Sequence, residues 1–153
     1  MKLRPAFSMI TAIFVMVMMA TVASFVLSLS GKMVKSTTAQ YQREQAMLLA
    51  KSYTEFAVMS VMSNDRSTGC LYTINGDIGD NPTNGEGYRA RVHINYIGNA
   101  TEVGNCGGRI LSQTVTEPKS PLHIIVDTYI DYKDPDNTAG NWITFHRRTL
   151  QKI

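Results

Sequence analysis

The chain has a long run without charge that begins at residue 5. Residues 5–31 carry no Asp, Glu, Lys or Arg, although the chain of 153 residues has 15 basic and 12 acidic side chains. Residues 32–68 lack proline and glycine, which most often end a helix. These two absences predict one long helix that begins in an apolar environment and continues after its composition has turned polar.

Dense basic runs and catalytic motifs are absent as well. The net charge of +3 is small, and no run of Lys and Arg provides the electrostatic footprint of a nucleic-acid-binding protein. No Ser/His/Asp order, phosphate-cradling glycine loop or pair of carboxylates stands out in the chain. The sequence therefore favours a protein that is not an enzyme and that binds no nucleic acid directly.

The apolar run at residues 7–29 is long enough to cross a lipid bilayer. As a helix it spans about 35 Å, compared with about 30 Å for the hydrocarbon core of a membrane. Three interpretations are open: a secretory signal peptide cut near residue 24, an ordinary single-pass anchor, and an assembly helix. Two basic residues lie on each side of the run, so the flanking charges do not decide its orientation.

The residues at the amino terminus follow a definite order. A basic leader at residues 1–4 precedes a small residue, Ala6, which is followed by Phe7 and an apolar helix that begins with residues 8–10. This order resembles the type IV pilin and type II secretion pseudopilin family over roughly the first 30 residues. The resemblance implies that a prepilin peptidase cuts between Ala6 and Phe7 and methylates the new amino group of Phe7.

Two positions differ from the common pattern of that family. The residue before the cut is commonly Gly, and here it is Ala6; the fifth mature residue is commonly Glu, and here it is Thr11. A carboxylate at that position can pair with the terminal amine of a neighbouring subunit, whereas a threonine cannot. The resemblance therefore implies a minor or initiating subunit rather than the bulk subunit of a fibre.

The resemblance also implies a domain organisation and a location. We expect a prepilin leader at residues 1–6, a transmembrane and assembly segment at 7–30, a periplasmic half of the same helix at 31–66 and a head domain at 67–153. The protein would lie in a bacterial inner membrane, with a cytoplasmic amino terminus and a periplasmic C-terminal domain, and would enter a filament. Its expected partners are other pilin or pseudopilin subunits, the prepilin peptidase and the inner-membrane assembly platform.

The polar half of the helix is predicted to pack through one face. Apolar residues recur there at spacings of three and four, which is typical of a helix buried on one side. The predicted stripe consists of Ala46, Leu49, Tyr53, Phe56 and Ser60, with Met59 and Met62 beside it. Turn-forming residues at 64–69 are predicted to end the helix.

The C-terminal half is predicted to form a sheet. Alternation of apolar and polar residues is strictest at 88–96 and 122–132, and further strands are predicted at 70–74, 109–117 and 141–150, with a surface loop at 75–87. In the two strictest strands, Arg89, Arg91, Asp127 and Asp131 lie opposite the apolar set. The fold class is therefore α+β and pilin-like, a long N-terminal helix packed on a roughly four-stranded antiparallel sheet.

The two cysteines, Cys70 and Cys106, both follow the apolar run. In an exported domain they are most simply interpreted as one disulfide, which would join the loop after the helix to a loop within the sheet region. Closing a loop of that length stabilises a fold by about 4 kcal/mol in the chain-entropy model. The alternative, two free thiols in a cytosolic protein, stays open at this point.

One cluster of oxygen-bearing side chains is a candidate calcium site. It consists of Asp131, Asp134, Asp136 and Asn137, residue types that suit calcium. The cluster lacks the glycine and the distal Glu of an EF-hand loop. The sequence therefore predicts no cofactor beyond this weak candidate for calcium.

The sequence leaves three functions open. The leading one is a structural subunit of a type II secretion, type IV pilus or DNA-uptake machine, processed by prepilin peptidase and assembled through its N-terminal helix. The alternative is a single-pass, membrane-anchored periplasmic binding module that is not polymerised. The third, a small secreted enzyme, requires a catalytic constellation that the sequence does not contain.

Overall fold

A computed structural model of the chain describes the backbone of residues 6–116 and 122–153 and the side chains from residue 9 onward. The predicted leader, apart from its last residue, and the end of the strand predicted at 109–117 lie outside the described residues. The elements are α1 (Ala6–Ser63), β1 (Thr73–Asn81), β2 (Glu86–Gly98), α2 (Ala100–Val103), β3 (Ile110–Ser112), β4 (Leu122–Tyr132) and β5 (Ile143–Lys152).

The chain divides into two compact units within α1, one at Met1–Tyr41 and one at Gln42–Ile153. The described part of the first unit is helix alone, and its side chains are exposed throughout. Its 18-residue window of highest mean hydropathy reaches 2.5, and none of that window is buried. The predicted apolar helix, long enough to cross a membrane, is therefore confirmed.

The second unit contains the sheet and the C-terminal part of α1. The strands lie in the order β1-β2-β4-β5, and each is antiparallel to its neighbour. The short β3 is a fifth strand, which pairs in parallel with the end of β2 at Tyr96 and Ile97. The predicted α+β fold, a long N-terminal helix that contacts an antiparallel sheet, is confirmed, and each strand segment predicted from the sequence overlaps one of the five observed strands.

On the two central strands, β2 and β4, the face of the sheet that packs on α1 is largely apolar and buried. On β2 the alternate residues Ala90, Val92 and Ile94 have no exposed surface, and the same is true of Ile124 and Val126 on β4. The alternation predicted for these two strands is therefore confirmed. The observed β4 begins and ends at the predicted residues.

The face of α1 that packs on the sheet differs from the predicted stripe. Its buried residues are small or β-branched: Ala46, Ala50, Thr54, Ala57 and Val61. Ala46 is the one member of the predicted stripe that is fully buried, and Phe56, Met59 and Met62 are at least half exposed. Small side chains let the helix approach a sheet that supplies large ones, whereas the prediction followed hydrophobicity and chose the bulky residues.

A fully buried hydrogen bond joins the helix to the sheet inside this apolar interface. The hydroxyl oxygens of Thr54 and Thr128 are 3.1 Å apart, and both residues are buried. Thr54 also donates to the carbonyl oxygen of Ala50, at 2.7 Å. A hydroxyl has one hydrogen to donate, so Thr128 donates to Thr54. This chain of bonds fixes the position of α1 along β4.

The segment predicted as a loop at 75–87 is instead a β-hairpin. β1 covers most of it, and a turn at Pro82–Asn84 leads into β2. The glycine and Asn/Asp residues that are typical of a loop are accommodated in this hairpin. A Cβ at Gly76 would lie 2.5 Å from the hydroxyl oxygen of Tyr53, so glycine lets the tyrosine pack beneath β1. Tertiary packing has overridden the low strand propensity of this segment.

The remaining strand boundaries need smaller corrections. The strand predicted at 70–74 begins only at Thr73, the one predicted at 109–117 is reduced to the three residues of β3, and the last strand runs to Lys152 rather than 150. The loop predicted before β3 contains the short helix α2, which Asn99 caps by accepting from the amide of Thr101. The predicted end of the long helix is confirmed, since α1 ends at Ser63.

Candidate functional site

The structure offers two surfaces for function: the apolar surface of the first unit and the outer face of the sheet. At the amino terminus, Ala6 is the first residue of α1. The side chains of Ala6 and Phe7 lie outside the described ones, so cleavage between these residues stays a prediction. Thr11, where the resembling family commonly has Glu, is exposed on the helix.

The apolar surface of the first unit has a groove of small side chains on one side. The groove is lined by Val17, Ala20, Thr21, Ser24, Phe25 and Ser28. The hydroxyl of Thr21 donates to the carbonyl oxygen of Met18, at 2.8 Å. A polar group that is satisfied within its own helix is tolerated in an apolar environment. The groove is therefore suited to a neighbouring helix as well as to lipid.

The outer face of the sheet is the side turned away from α1, and its charged side chains come from β1, β2, β4 and β5. Each strand contributes alternate residues to it. These are Asn75 and Asp77 on β1; Arg89, Arg91 and His93 on β2; Asp127, Tyr129 and Asp131 on β4; and Thr144, His146 and Arg148 on β5.

The carboxylate of Asp131 lies at the centre of one ion-pair network. Arg91 donates to both of its oxygens, at 2.8 and 3.0 Å, and Arg89 and Thr144 donate as well. Only 1% of the Asp131 side chain is exposed, whereas about two fifths of each arginine side chain reaches solvent. Burial would raise the pKa of Asp131, but the hydrogen bonds from Arg91 and Thr144 outweigh it and lower the pKa.

A second network surrounds Asp127, four residues earlier on β4. Arg148 and His146 of β5 both contact its carboxylate, at 2.8 Å. Burial would raise the pKa of Asp127, but the hydrogen bonds from Arg148 and His146 lower it below its ordinary value. The ring of His146 stacks on Tyr129 at a centroid distance of 4.4 Å, so an aromatic layer lies between the two networks.

An open depression lies beside the first network, between β1 and β2. It has a volume of about 530 Å³ and is lined by Asn75, Gly76, Asp77, Arg89 and Arg91. One acidic and two basic side chains therefore surround a cavity large enough for a small polar ligand. The guanidinium of Arg89 also stacks on Trp142, with its Cζ 4.3 Å from the centroid of the ring.

The predicted disulfide between Cys70 and Cys106 is present, and Cys106 is fully buried. It joins the segment after α1 to the loop that follows α2, as the sequence indicated. Arg66 reinforces this connection through an ion pair with Glu102, at 2.9 Å. The nearby Tyr96 donates its hydroxyl to the carbonyl oxygen of Leu71, and burial raises the pKa of Tyr96 to about 12.

The side chains of two calcium candidates, Asp131 and Asp134, have partners within the protein. Asp131 binds two arginines and a threonine, as described above, and Asp134 accepts a hydrogen bond from the amide of Asp136 in the turn that follows β4. Asn137 lies in the same turn, where its amide donates to the carbonyl oxygen of Asp134. Among the residues that the structure describes, no group of three or more His, Cys, Asp or Glu side chains is placed to hold a metal ion.

The sequence placed the acidic residues of β4 on the outer face but missed that they are buried under basic neighbours. A usable signal was present, because Arg89 and Arg91 on one strand and Asp127 and Asp131 on another are each spaced to share a face. The pairing of these strands was unknown, so the opposite charges could not be matched. Comparisons with protein-family models, curated proteins and solved structures gave no match to this chain.

Proposed function

We propose that this chain is a pilin-like structural subunit, a minor pilin or pseudopilin, which is stored in the inner membrane and assembled into a filament through its N-terminal helix. The observation that carries the proposal is the surface of the first unit. Its apolar side chains from Met9 to Val34 are exposed, and the chain itself offers them no partner in the described part of this unit. Apolar surface of that extent requires lipid or other helices to cover it.

The groove that contains Ala20 and Ser24 supports assembly in addition to anchoring. Small residues allow the backbones of two helices in a membrane to approach closely, and this close approach drives their association. The leader and the Ala6–Phe7 junction agree with the same function, since they resemble the processing site of prepilins. Thr11 favours a minor or initiating subunit, because it cannot supply the carboxylate that pairs with a neighbouring amino terminus.

Mass spectrometry of the amino terminus, on protein purified from membranes, tests this function. We expect a chain that begins at N-methylated Phe7. A chain that begins at Met1 would contradict peptidase processing, and one that begins near Ser24 would identify the apolar run as a signal peptide. An Ala6→Leu variant is a control, because a bulky residue before the cut should block processing and leave the leader in place.

A second candidate function is a membrane-anchored binding module that does not polymerise. The depression beside Arg89 and Arg91 favours it, because both side chains are partly exposed and line a cavity in which they can donate to a ligand. This function predicts an unprocessed amino terminus and a monomer. The same mass spectrum therefore separates the two candidates.

A further inference from the structure

The two arginines beside the depression on the outer face are turned away from β1. Arg89 donates through Nε and Nη2 to Asp131 on β4, at 3.4 and 3.3 Å, and its guanidinium stacks on Trp142. Arg91 donates to the same carboxylate through Nε and Nη2, at 2.8 and 3.0 Å. Both guanidinium groups are therefore held toward β4, although β1 is the other neighbour of their strand. The depression is the space that remains between these side chains and β1.

Both guanidinium groups retain donors for a ligand. A guanidinium has five N–H groups, and each arginine uses only Nε and Nη2 on Asp131. Nη1 of Arg89 and Nη1 of Arg91 make no hydrogen bond to any described residue. About two fifths of each arginine side chain is exposed. The buried carboxylate thus fixes two donors beside an open cavity, and this preorganisation favours the binding of an anionic group.

The opposite wall of the depression is acidic. Asp77 of β1 lies opposite Arg89 of β2 in the register of the sheet, and Asn75 lies opposite Arg91. Asp77 is exposed and makes no ion pair with any described residue, because Arg89 is turned toward Asp131. Two carboxylates therefore balance two guanidinium groups. The depression is neutral as a whole, but one of its walls is cationic and the other is anionic.

We propose that this depression binds a free amino acid as a zwitterion. The carboxylate of the ligand accepts from Nη1 of Arg89 and Nη1 of Arg91, and its ammonium group contacts the carboxylate of Asp77. An anion alone would be repelled by Asp77, and a cation alone would be repelled by the two arginines. A volume of about 530 Å³ is within the range of small-molecule sites.

This site goes beyond the proposed function, because it lies in the second unit and does not involve the N-terminal helix. It would bind its ligand in an assembled subunit and in an isolated one alike. Trp142 reports on the site, since Arg89 stacks on it and it is the only tryptophan of the chain.

Titrations of the full-length protein in detergent test the site. The ligands are L-alanine and γ-aminobutyrate, in which the two charges are further apart, and the fluorescence of Trp142 and the heat of binding are both measured. Propionate and ethylammonium are the matched control ligands, because each carries only one of the two charges of alanine. Sodium chloride at equal ionic strength corrects for screening.

We expect a saturable response to at least one of the two amino acids. Propionate and ethylammonium should bind about fivefold more weakly, since each lacks one ion pair. Asp77→Asn should weaken binding of the amino acid about fivefold without weakening that of propionate, because it removes only the partner of the ammonium group. Asp80→Asn is the matched control variant, which removes an exposed charge from the same strand outside the depression and should change neither affinity.

A variant that fills the depression provides a second test. Asn75 is exposed on β1, so Asn75→Phe should leave the fold intact, as urea unfolding would show, and should abolish the response to every ligand. A response that persists in this folded variant would overturn the proposal.

Three further results would overturn the proposal: propionate binding as tightly as the amino acids, an unchanged affinity in Asp77→Asn, or neither heat nor fluorescence change with both amino acids in the millimolar range. The proposed function would stand in each case, because the mass spectrum of the amino terminus tests it separately.

Discussion

Two parts of the same helix carry apolar side chains, and the residues that the structure describes cover only one of them. In residues 42–63, Ala46, Ala50, Ala57 and Val61 lose all contact with solvent against the sheet. In residues 9–41, every described side chain is exposed, including the aromatic ones. The sheet therefore covers the apolar surface of residues 42–63, whereas the apolar surface of residues 9–41 requires lipid or another protein to cover it. Substitutions should consequently act on folding in the first case and on insertion and assembly in the second.

The largest effect is expected from charge placed in the exposed part. Val17→Asp combined with Ala20→Asp should prevent stable membrane integration, because each central aspartate costs about 3 kcal/mol of insertion free energy. Sodium carbonate extraction of membranes measures the change, with Val17→Leu and Ala20→Leu as the control. Urea unfolding of the second unit should not change in either variant. A lower free energy of unfolding would show that the stability of the second unit depends on the exposed part of the helix.

The next largest effect is expected from removing the disulfide. Cys70→Ala combined with Cys106→Ala should lower the free energy of unfolding by about 4 kcal/mol, because the loop between these residues is no longer closed in the unfolded chain. Urea titration of the full-length protein in detergent measures the loss. Membrane integration should be unchanged. The wild-type protein under reducing conditions is the control and should lose a similar amount.

A smaller effect is expected from the buried carboxylate on the outer face. Asp131→Asn should cost about 3 kcal/mol, because it leaves two guanidinium groups without their buried counter-ion. Asp77→Asn, on the same face but exposed, should change the free energy of unfolding by less than about 0.5 kcal/mol. Equal losses in the two variants would show that burial of Asp131 contributes nothing.

The same network makes stability depend on pH. The pKa values of Asp127 and Asp131 are lowered in the folded protein, so their contribution is complete above the ordinary aspartate pKa of about 3.9. It is lost as the pH falls below that value and passes through the lowered pKa of each group. Urea titrations between pH 7 and pH 2 should show this loss, and Asp131→Asn should reduce its size.

The smallest effect separates the observed face of α1 from the face that periodicity predicted. Ala57→Leu should lower the free energy of unfolding by about 2 kcal/mol, because a larger side chain does not fit between helix and sheet. Phe56→Ala should lower it by less, about 1 kcal/mol, since half of that side chain is already exposed. The opposite order of effects would restore the predicted stripe.

The sequence was sufficient for features that depend on neighbouring residues. The apolar helix, its end at Ser63 and the full extent of β4 were predicted from local patterns, and the disulfide followed from the cysteine count. Features that depend on residues far apart in the sequence could not be predicted in this way. The local pattern does not predict β1, because glycine at Gly76 is favourable there only with Tyr53 packed beneath it. It also does not predict the burial of Asp131, because the pairing with Arg91 depends on the register of the sheet.

The disulfide has a mechanical consequence for a protein held by its N-terminal helix. Cys70 lies directly after the turn that ends α1, and Cys106 lies beyond β1, β2 and α2. Tension that enters through the helix crosses from one cysteine to the other and continues toward β4. The residues between the cysteines, including the whole β1–β2 hairpin, are thereby spared that tension. Both strands of this hairpin can remain folded while the chain on either side of it is stretched.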